Sequence, residues 1–423
     1  MLHDILERHR DELSFLRLLR AAAVHAPHFD LRTLADLDER VEAHLDGLRI
    51  AGEAGFAVVR DALDPGEPGI AFAAAALAIE RADRAMLDPI LELAAAEPEI
   101  ARAVTAAFGW VAPDRAVAAA ERLLHAGAPP RSRALGIAAH AAHRRDPGGV
   151  LANAILDPDP TLRARALRAA GELGRRDLAP EVIRARTDAD EHCRFWAAWS
   201  GLLLAEVTAV PVLYRMAESA SPYALRAMLV VARVLDPRDA LPWLESLAAR
   251  PEHARVAFQG AGALGDPGAV PWLLARMEDP ALARLAADAF TMITGIAVEN
   301  DLATKAPAGF RLGPSDDPAD DDVALDPDRD RPWPAPAALA AAFRARGGDL
   351  RRGSPLPPRP AHHRGLDASR PARRPATRAR RRRHRARPAR ARTRALRGAR
   401  ARVPAAKDGL RRGPRSARAS MDQ

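Results

Sequence analysis

Hydrophobic and polar positions alternate along this chain with the period of an amphipathic α-helix. Between residues 5 and 24, apolar side chains recur at a helical spacing, at Leu13, Leu16, Leu19 and Ala23. Runs that alternate with period two are absent, and valine and isoleucine are sparse beside alanine and leucine, which disfavours strands. The pattern predicts an all-α protein.

A proline and an arginine then recur with a nearly constant period through the middle of the chain. The prolines each follow an apolar residue, at intervals of 31, 31 and 29 residues: Pro180, Pro211, Pro242 and Pro271. The arginines recur at intervals of 29 to 32 residues, and we call them the arginine ladder: Arg102, Arg133, Arg163, Arg194, Arg226, Arg255 and Arg284. A fixed period in this range is the signature of a solenoid of stacked repeats.

Each repeat is predicted to be a pair of helices. The first helix begins near the proline, because the N–H that proline lacks would be unpaired at that position in any case. A turn follows, and the second helix carries the ladder arginine in its first turn. Pro89 is interpreted as a degenerate start of an earlier first helix. The sequence therefore predicts a right-handed α-solenoid of about seven helix pairs.

Composition divides the chain into five regions. They are an N-terminal helical module (1–63), the repeats (64–295), an acidic linker rich in proline and aspartate (296–336), a short helix (337–343) and a disordered tail rich in arginine, alanine and proline (344–423). Asp30 is the expected cap of a helix in the module. The linker is too poor in apolar residues to fold alone, although Pro332-Trp333-Pro334 is expected to dock onto the solenoid. Its aspartates at 316–330 lack the spacing of a calcium loop and are interpreted as solvated.

Charge is divided unequally between the body and the tail. Residues 344–423 hold 27 Lys and Arg against four Asp and Glu, a balance of +23, whereas the remaining 343 residues have a balance of −14. One interpretation of the tail is a disordered basic arm for nucleic acid. The other is an out-of-frame translation of a G+C-rich gene, which the ratio of 62 arginines to two lysines also favours. Both interpretations remain open.

Cysteine content and hydropathy indicate the compartment. A single cysteine, Cys193, excludes an internal disulfide and a multi-cysteine zinc site, which suits a reducing compartment. The first thirteen residues are too charged for a signal peptide, and no apolar run approaches the roughly 20 residues that cross a bilayer. We expect a soluble cytoplasmic protein with no membrane partner.

Particular segments resemble known repeat proteins. The segments DPDPTLRARALRAAGELG, DADEHCRFWAAWSGLLL and EDPALARLAADAFTMITG resemble short HEAT-like repeats of the phycobilisome-lyase type. The run FLRLLRAAAVHAPHFDLRTLADLDERVEAHLDGLRIAGEAG and the segment ALDPDRDRPWP at 324–334 look like an uncharacterised bacterial family of HEAT-repeat proteins. The resemblance covers roughly residues 10–345 and implies no activity, although some members are encoded near type VI secretion genes. Departure from the family pattern after about residue 345 favours out-of-frame translation.

The arginine ladder has two interpretations. It could be a cationic stripe that binds an acidic partner, or each arginine could pair with an acidic residue or a carbonyl in the inter-helix turn of its own or the next repeat. Asp157 and Asp159 precede Arg163 by six and four residues, and two aspartates precede Arg194 in the same way. This matched spacing favours a structural ladder. Arg165 and Arg168 occur in one repeat only and are the better candidates for binding a partner.

The remaining candidates are weighed against a place in the core. Cys193 beside His192 could suggest a nucleophile, but it aligns with an apolar position of the preceding repeat and is expected in the core. Trp196 and Trp199 lie three residues apart on one helical face, as core residues or as a partner-binding patch. Two histidines complete the candidates and are interpreted as a solvated pair rather than metal ligands: His140 and His143.

Together these patterns predict a non-catalytic scaffold or adaptor that binds protein segments along a concave solenoid face. No catalytic residue, cofactor or metal is expected, and the oligomeric state is left open. One alternative is a nucleic-acid-binding protein that uses the basic tail. A second is an enzyme of lyase or glycosylase type on a HEAT-like scaffold, although the acidic body argues against a DNA substrate.

Overall fold

The computed structural model describes residues 2–310, 313 and 325–346, and this part of the chain is almost entirely helical. Its only strands are Ala303–Thr304 and Trp333–Pro334, which pair antiparallel. The all-α prediction is confirmed. None of the helices described combines the length and the apolar character needed to cross a membrane. The predicted basic tail beyond Arg346 and the aspartates at 316–324 lie outside the described residues.

Four helices form the N-terminal end of the fold. They are α1 (Leu2–Ala23), α2 (Leu31–Ile50), α3 (Glu53–Arg60) and α4 (Pro68–Arg81). Asp30 caps α2 as expected, since its carboxylate accepts the N–H of Thr33 at 2.8 Å and the Thr33 hydroxyl oxygen accepts the N–H of Asp30 at 2.9 Å. The alanine-rich α4 is buried along most of its length, because α1 packs on one side of it and the repeats pack on the other.

Seven helix pairs follow α4 and confirm the predicted solenoid. In chain order they are α5 (Arg84–Ala96) with α6 (Pro98–Trp110), α7 (Pro113–Glu121) with α8 (Pro130–Ala142), α9 (Gly149–Ile155) with α10 (Pro160–Glu172), α11 (Ala179–Arg184) with α12 (Glu191–Leu203), α13 (Val210–Ala217) with α14 (Ala224–Val234), α15 (Pro237–Ala248) with α16 (Pro251–Leu264), and α17 (Val270–Arg276) with α18 (Ala283–Thr294). Each ladder arginine lies within the first five residues of a second helix.

The recurring prolines do not all start a helix. Pro180, Pro211 and Pro271 are the second residues of α11, α13 and α17, as the pattern predicts. Pro89 and Pro242, however, lie inside α5 and α15, so the predicted starts there are wrong. In both helices an aspartate earlier in the chain caps the N-terminus, and this earlier signal determines the start.

Small residues let the second helices of successive pairs pack directly against one another. A Cβ added at Gly171 of α10 would lie 2.5 Å from the hydroxyl oxygen of Ser200 on α12, so the two helices approach closely. That hydroxyl donates to the carbonyl of Leu167 at 2.7 Å. The first helices contact chiefly second helices. Between α12 and α14 the direct contact is much smaller than elsewhere in the second-helix layer.

The chain after α18 folds back onto the last helix pairs. The two short strands pair there, and α19 (Pro336–Arg346) packs against α17. Pro334 is buried and Trp333 is half-buried, so the segment Pro332-Trp333-Pro334 docks as expected. Asp328 is only 3% exposed. The expectation of a solvated linker is therefore wrong for residues 325–335, because arginines of the solenoid hold its acids.

Candidate functional site

A repeated turn connects the arginine ladder to acidic residues of the next helix pair. Arg163 donates through Nε and Nη2 to the carboxylate of Asp188, at 2.7 and 2.9 Å. The same carboxylate accepts the N–H of Asp190 at 2.9 Å, and Arg163 also donates to the carbonyl of Asp157 at 2.8 Å. Hydrogen bonds from Arg163 hold the pKa of Asp188 below its usual range. One arginine thus joins its own turn to the following turn.

The same arrangement occurs in the preceding repeat and at the end of the solenoid. Arg133 pairs with Asp157 at 2.8 Å, and Arg284 pairs with Asp326 at 2.6 Å. Asp326 accepts the N–H of Asp328 at 2.9 Å, so the segment after the solenoid reproduces the turn of a further repeat. Asp328 in turn binds Arg255 through two hydrogen bonds of 2.7 and 2.9 Å.

Three ladder arginines form no ion pair outside their own helix. Arg102 is exposed and pairs with Glu99 of its own helix. Arg194 donates only to main-chain carbonyls, those of Asp188 and Ala189, each at 2.7 Å. Arg226 is exposed, and within the described residues it has no hydrogen bond or ion pair. The carboxylate ladder is therefore interrupted at the centre of the solenoid.

The four residues predicted to bind a partner come together on α10 and α12. Glu172 accepts hydrogen bonds of 2.8 Å from both Arg165 and Arg168. The guanidinium of Arg168 lies 4.5 Å from the ring centre of Trp196, and the rings of Trp196 and Trp199 are 5.3 Å apart. We call Arg165, Arg168, Glu172, Trp196 and Trp199 together the Arg/Trp surface. Trp196 is mostly buried, whereas Trp199 is half-buried.

The burial of the Arg165 guanidinium in this surface is energetically unfavourable. Its Nη1 is buried without a hydrogen-bond partner in the described structure, and burial lowers the pKa of Arg165. A buried donor without an acceptor is unfavourable by about 1–3 kcal/mol.

Cys193 occupies the core, as its alignment with an apolar position indicates. The side chain is fully buried, and its thiol donates weakly to the carbonyl of Pro160 at 3.4 Å. Burial raises the pKa of Cys193 to about 12. The residue is therefore a neutral thiol near pH 7, which is the opposite of what a nucleophilic cysteine needs.

We expect Cys193 to be unreactive in the folded protein. A thiol reagent such as dithiobis-nitrobenzoate should modify none of it at about pH 7.5 under native conditions and one thiol per chain in denaturant, because only unfolding exposes the sulfur and lets it ionise. The chromophore released in each condition measures the result. Rapid modification before unfolding would contradict the buried thiol.

The paired histidines are structural rather than solvated, so that interpretation is wrong. His140 is 4% exposed, and its Nδ1 donates to the carbonyl of Gly136 at 2.9 Å. His143 donates through Nε2 to the carbonyl of Phe108 on the preceding second helix, at 2.6 Å. Across the described ranges, no three His, Cys, Asp or Glu side chains are grouped to hold a metal ion.

One feature of the site escaped the sequence patterns. A cavity of about 230 Å³ lies between α12, α13 and the turn that precedes α12, and we call it the arginine-lined cavity. Its polar lining consists of Arg186, Glu191, Arg194, Arg215 and Ser219. A signal was present in the sequence: 25 residues after Arg163 stands Asp188, but 25 residues after Arg194 stands Ser219.

Comparison with known proteins agrees with this architecture. A family model of HEAT repeats matches residues 150–233, which include α10, α12, the Arg/Trp surface and the arginine-lined cavity. No curated protein matches the chain significantly. HEAT-like helix pairs therefore account for the central part of the solenoid.

Proposed function

We propose that the chain is a non-catalytic scaffold that holds a segment of a partner protein along its second-helix layer. HEAT repeats commonly serve as protein-interaction surfaces, and extended concave faces of solenoids are used in this way. The second helices pack more closely than the first helices do. A stack with one tighter layer is expected to curve toward that layer, so the proposal places the concave side on the second helices.

The Arg/Trp surface carries this proposal. Tryptophan and arginine are enriched among the residues that dominate binding energy at protein interfaces. Here Trp199 is half-buried beside Trp196, and Arg168 is exposed with its guanidinium over the ring of Trp196. The surface thus offers an apolar ring with polar groups beside it, which is how interface anchors are usually arranged.

The proposal includes two further points, a compartment and a cellular role. The neutral thiol of Cys193 suits a reducing compartment, so the proposal places the protein in the cytoplasm. The family resemblance of the N-terminal run extends the proposal to an accessory role in bacterial secretion.

Partner capture tests the scaffold proposal. We expect Arg168→Ala and Trp199→Ala to reduce recovery of a bound protein from cell lysate by about tenfold or more, the effect typical of interface anchors. Arg102→Ala is the matched control, because Arg102 is exposed, paired only within its helix and distant in sequence. Quantitative mass spectrometry of the captured proteins measures the effect. Equal capture by all four proteins would sink the proposal.

A nucleic-acid-binding role is the second candidate, favoured by one observation. Residues 344–423 carry a balance of +23, which suits counterion-releasing contacts with phosphates. Its signature is affinity that falls steeply with salt and disappears when the chain ends at Arg346. Affinity that persists in the shortened chain would instead place nucleic-acid binding on the acidic body.

A further inference from the structure

We infer that the arginine-lined cavity is a carboxylate site, which binds one Asp or Glu side chain of a partner protein segment. The inference rests on the proposed function, since it assigns a chemistry to the segment that the scaffold holds. It starts from the arginine ladder, in which Arg194 has no carboxylate partner in the turn that follows.

The register of the ladder shows where the acid is missing. Arg163 reaches Asp188 across 25 residues, and Arg194 would reach Ser219 across the same distance. Ser219 has the same local turn as Asp188, because its hydroxyl oxygen accepts the N–H of Ser221 at 3.3 Å. The backbone for an acidic residue is thus present, but the carboxylate is absent.

The neighbouring glutamate does not replace the missing carboxylate. Glu218 accepts a hydrogen bond of 2.7 Å from the indole N–H of Trp243, whose ring stacks on Tyr214. Within the described residues, Glu218 makes no ion pair with Arg194. The glutamate is therefore engaged in the next repeat.

Three guanidinium groups contribute unused donors to the cavity. Arg194 uses only Nη1, and Arg186 uses Nε and Nη1 for the carbonyl of Ile183 and the hydroxyl of Thr208. Arg215 makes no hydrogen bond or ion pair in the part of the chain described. Glu191 is the only acid of the lining, so positive charge is in excess.

The position of the cavity also suits an external group. The second-helix layer is least closely packed between α12 and α14, at the step where Arg194 lacks a carboxylate partner. The ion pair that joins successive helix pairs elsewhere is thus absent where the second helices contact each other least. A group bound in the cavity would pair with Arg194 and contact both helix pairs, since the lining comes from α12 and α13.

Size and charge favour a carboxylate side chain over other anions. The volume of about 230 Å³ lies below the range of about 300–1,000 Å³ for small-molecule sites, so it suits a single side chain. Glu191 reduces the positive charge and disfavours a doubly charged phosphate. The ladder itself holds Asp157, Asp188 and Asp326 by the same kind of arginine.

A substitution that places a carboxylate at position 219 tests whether the cavity is complementary to this group. We expect Ser219→Asp to raise the melting temperature measurably, because it would restore the pair with Arg194 and keep the local turn. Ser219→Asn is the matched control, since it keeps the turn without the charge, and it should leave the melting temperature unchanged. Equal melting temperatures for both variants would overturn the assignment of a carboxylate to this cavity.

Binding in trans tests the site directly. The probes are acetylated and amidated peptides that carry aspartate, asparagine or phosphoserine at the centre of a short alanine sequence, titrated into the full chain at low salt and followed by NMR. Only the aspartate peptide should shift resonances of Arg194 and Arg215, and Arg215→Ala should weaken its binding by about tenfold. Equal shifts by the asparagine peptide, or stronger binding of the phosphoserine peptide, would overturn the proposal.

The two proposals can fail separately. Arg215→Ala should weaken binding of the aspartate peptide but leave the Arg/Trp surface intact. Arg168→Ala should reduce partner capture but leave binding of the aspartate peptide intact. Loss of partner capture in Arg168→Ala with intact peptide binding supports both. Absence of capture by the unaltered protein, with intact peptide binding, would remove the scaffold proposal and leave the carboxylate site.

Discussion

Replacement of Arg163 by alanine is expected to lower the free energy of unfolding by about 2–3 kcal/mol. The change removes both hydrogen bonds to Asp188 and the bond to the carbonyl of Asp157. Asp188 keeps only 13% of its side chain exposed, so its charge is left poorly solvated. Loss of one partner from a buried pair costs about 3–5 kcal/mol, and partial exposure reduces that figure here. Urea unfolding followed by circular dichroism measures the loss.

The control for Arg163 is another member of the ladder. Arg102→Ala removes an arginine that is 66% exposed and paired within its own helix, so its effect should stay within about 0.5 kcal/mol. Arg163→Lys should recover little, because lysine cannot form the two parallel hydrogen bonds that arginine gives the carboxylate. Similar losses for Arg102→Ala and Arg163→Ala would show that the turn pairs contribute little.

The pH dependence gives a second measurement of the same pair. The pKa of Asp188 is lower in the folded chain than in the unfolded chain, where it is about 3.9. Its contribution to stability is therefore complete above about pH 4 and is lost as the pH falls further. The difference in stability between the unaltered chain and Arg163→Ala should shrink below about pH 4. A difference that is constant through the more acidic range would argue against the ion pair.

The repeats could be predicted from the sequence because every pair solves the same physical problem. One pair cannot bury its apolar face alone, so the same small residues, turn acids and arginines recur at each step. The spacing of Asp157 and Asp188 from the arginines indicated turn pairs from the sequence alone. The sequence left open whether the partner lies in the turn of the same repeat or of the next, and Arg163 uses both, since it binds Asp188 of the next turn and carbonyls of its own.

What could not be predicted depends on contacts between segments distant in sequence. His143 looked like a solvated residue because no local pattern shows that the carbonyl of Phe108 would lie 2.6 Å from its ring. The acidic residues of the linker were predicted to be solvated because amino-acid composition does not show which charged residues pair in the fold. Asp326 and Asp328 are instead paired with arginines far earlier in the chain, Arg284 and Arg255.

The arginine-lined cavity illustrates a third limit. A missing residue in a repeated pattern is visible in the sequence only after the pattern is known to be an ion pair. The replacement of an acid by Ser219 then becomes informative, because it identifies one step at which Arg194 lacks a carboxylate. Departures from a structural repeat are thus better guides to a binding site than the repeat itself.

Replacement of Asp328 by alanine is expected to have the largest effect. It should lower the free energy of unfolding at the C-terminal end of the solenoid by about 3–4 kcal/mol. The buried carboxylate binds Arg255 at 2.7 and 2.9 Å and Arg331 at 2.8 Å, and both guanidiniums would lose it together. Arg331 would keep only Asp288 at 3.2 Å. Because repeat arrays unfold in parts, hydrogen exchange should rise first in α18 and α19.

Asp330→Ala is the matched control for Asp328, two residues away in the same segment. Its side chain is 47% exposed, and the nearest nitrogen of Arg329 lies 4.0 Å away, so its loss should change stability by at most about 0.5 kcal/mol. If hydrogen exchange in Asp328→Ala increases only in residues 325–335 and not in α18, this segment covers the solenoid without stabilising it. Exchange that spreads into α16 and α18 would mean that it closes the arginine ladder as a further turn and stabilises the pairs beneath it.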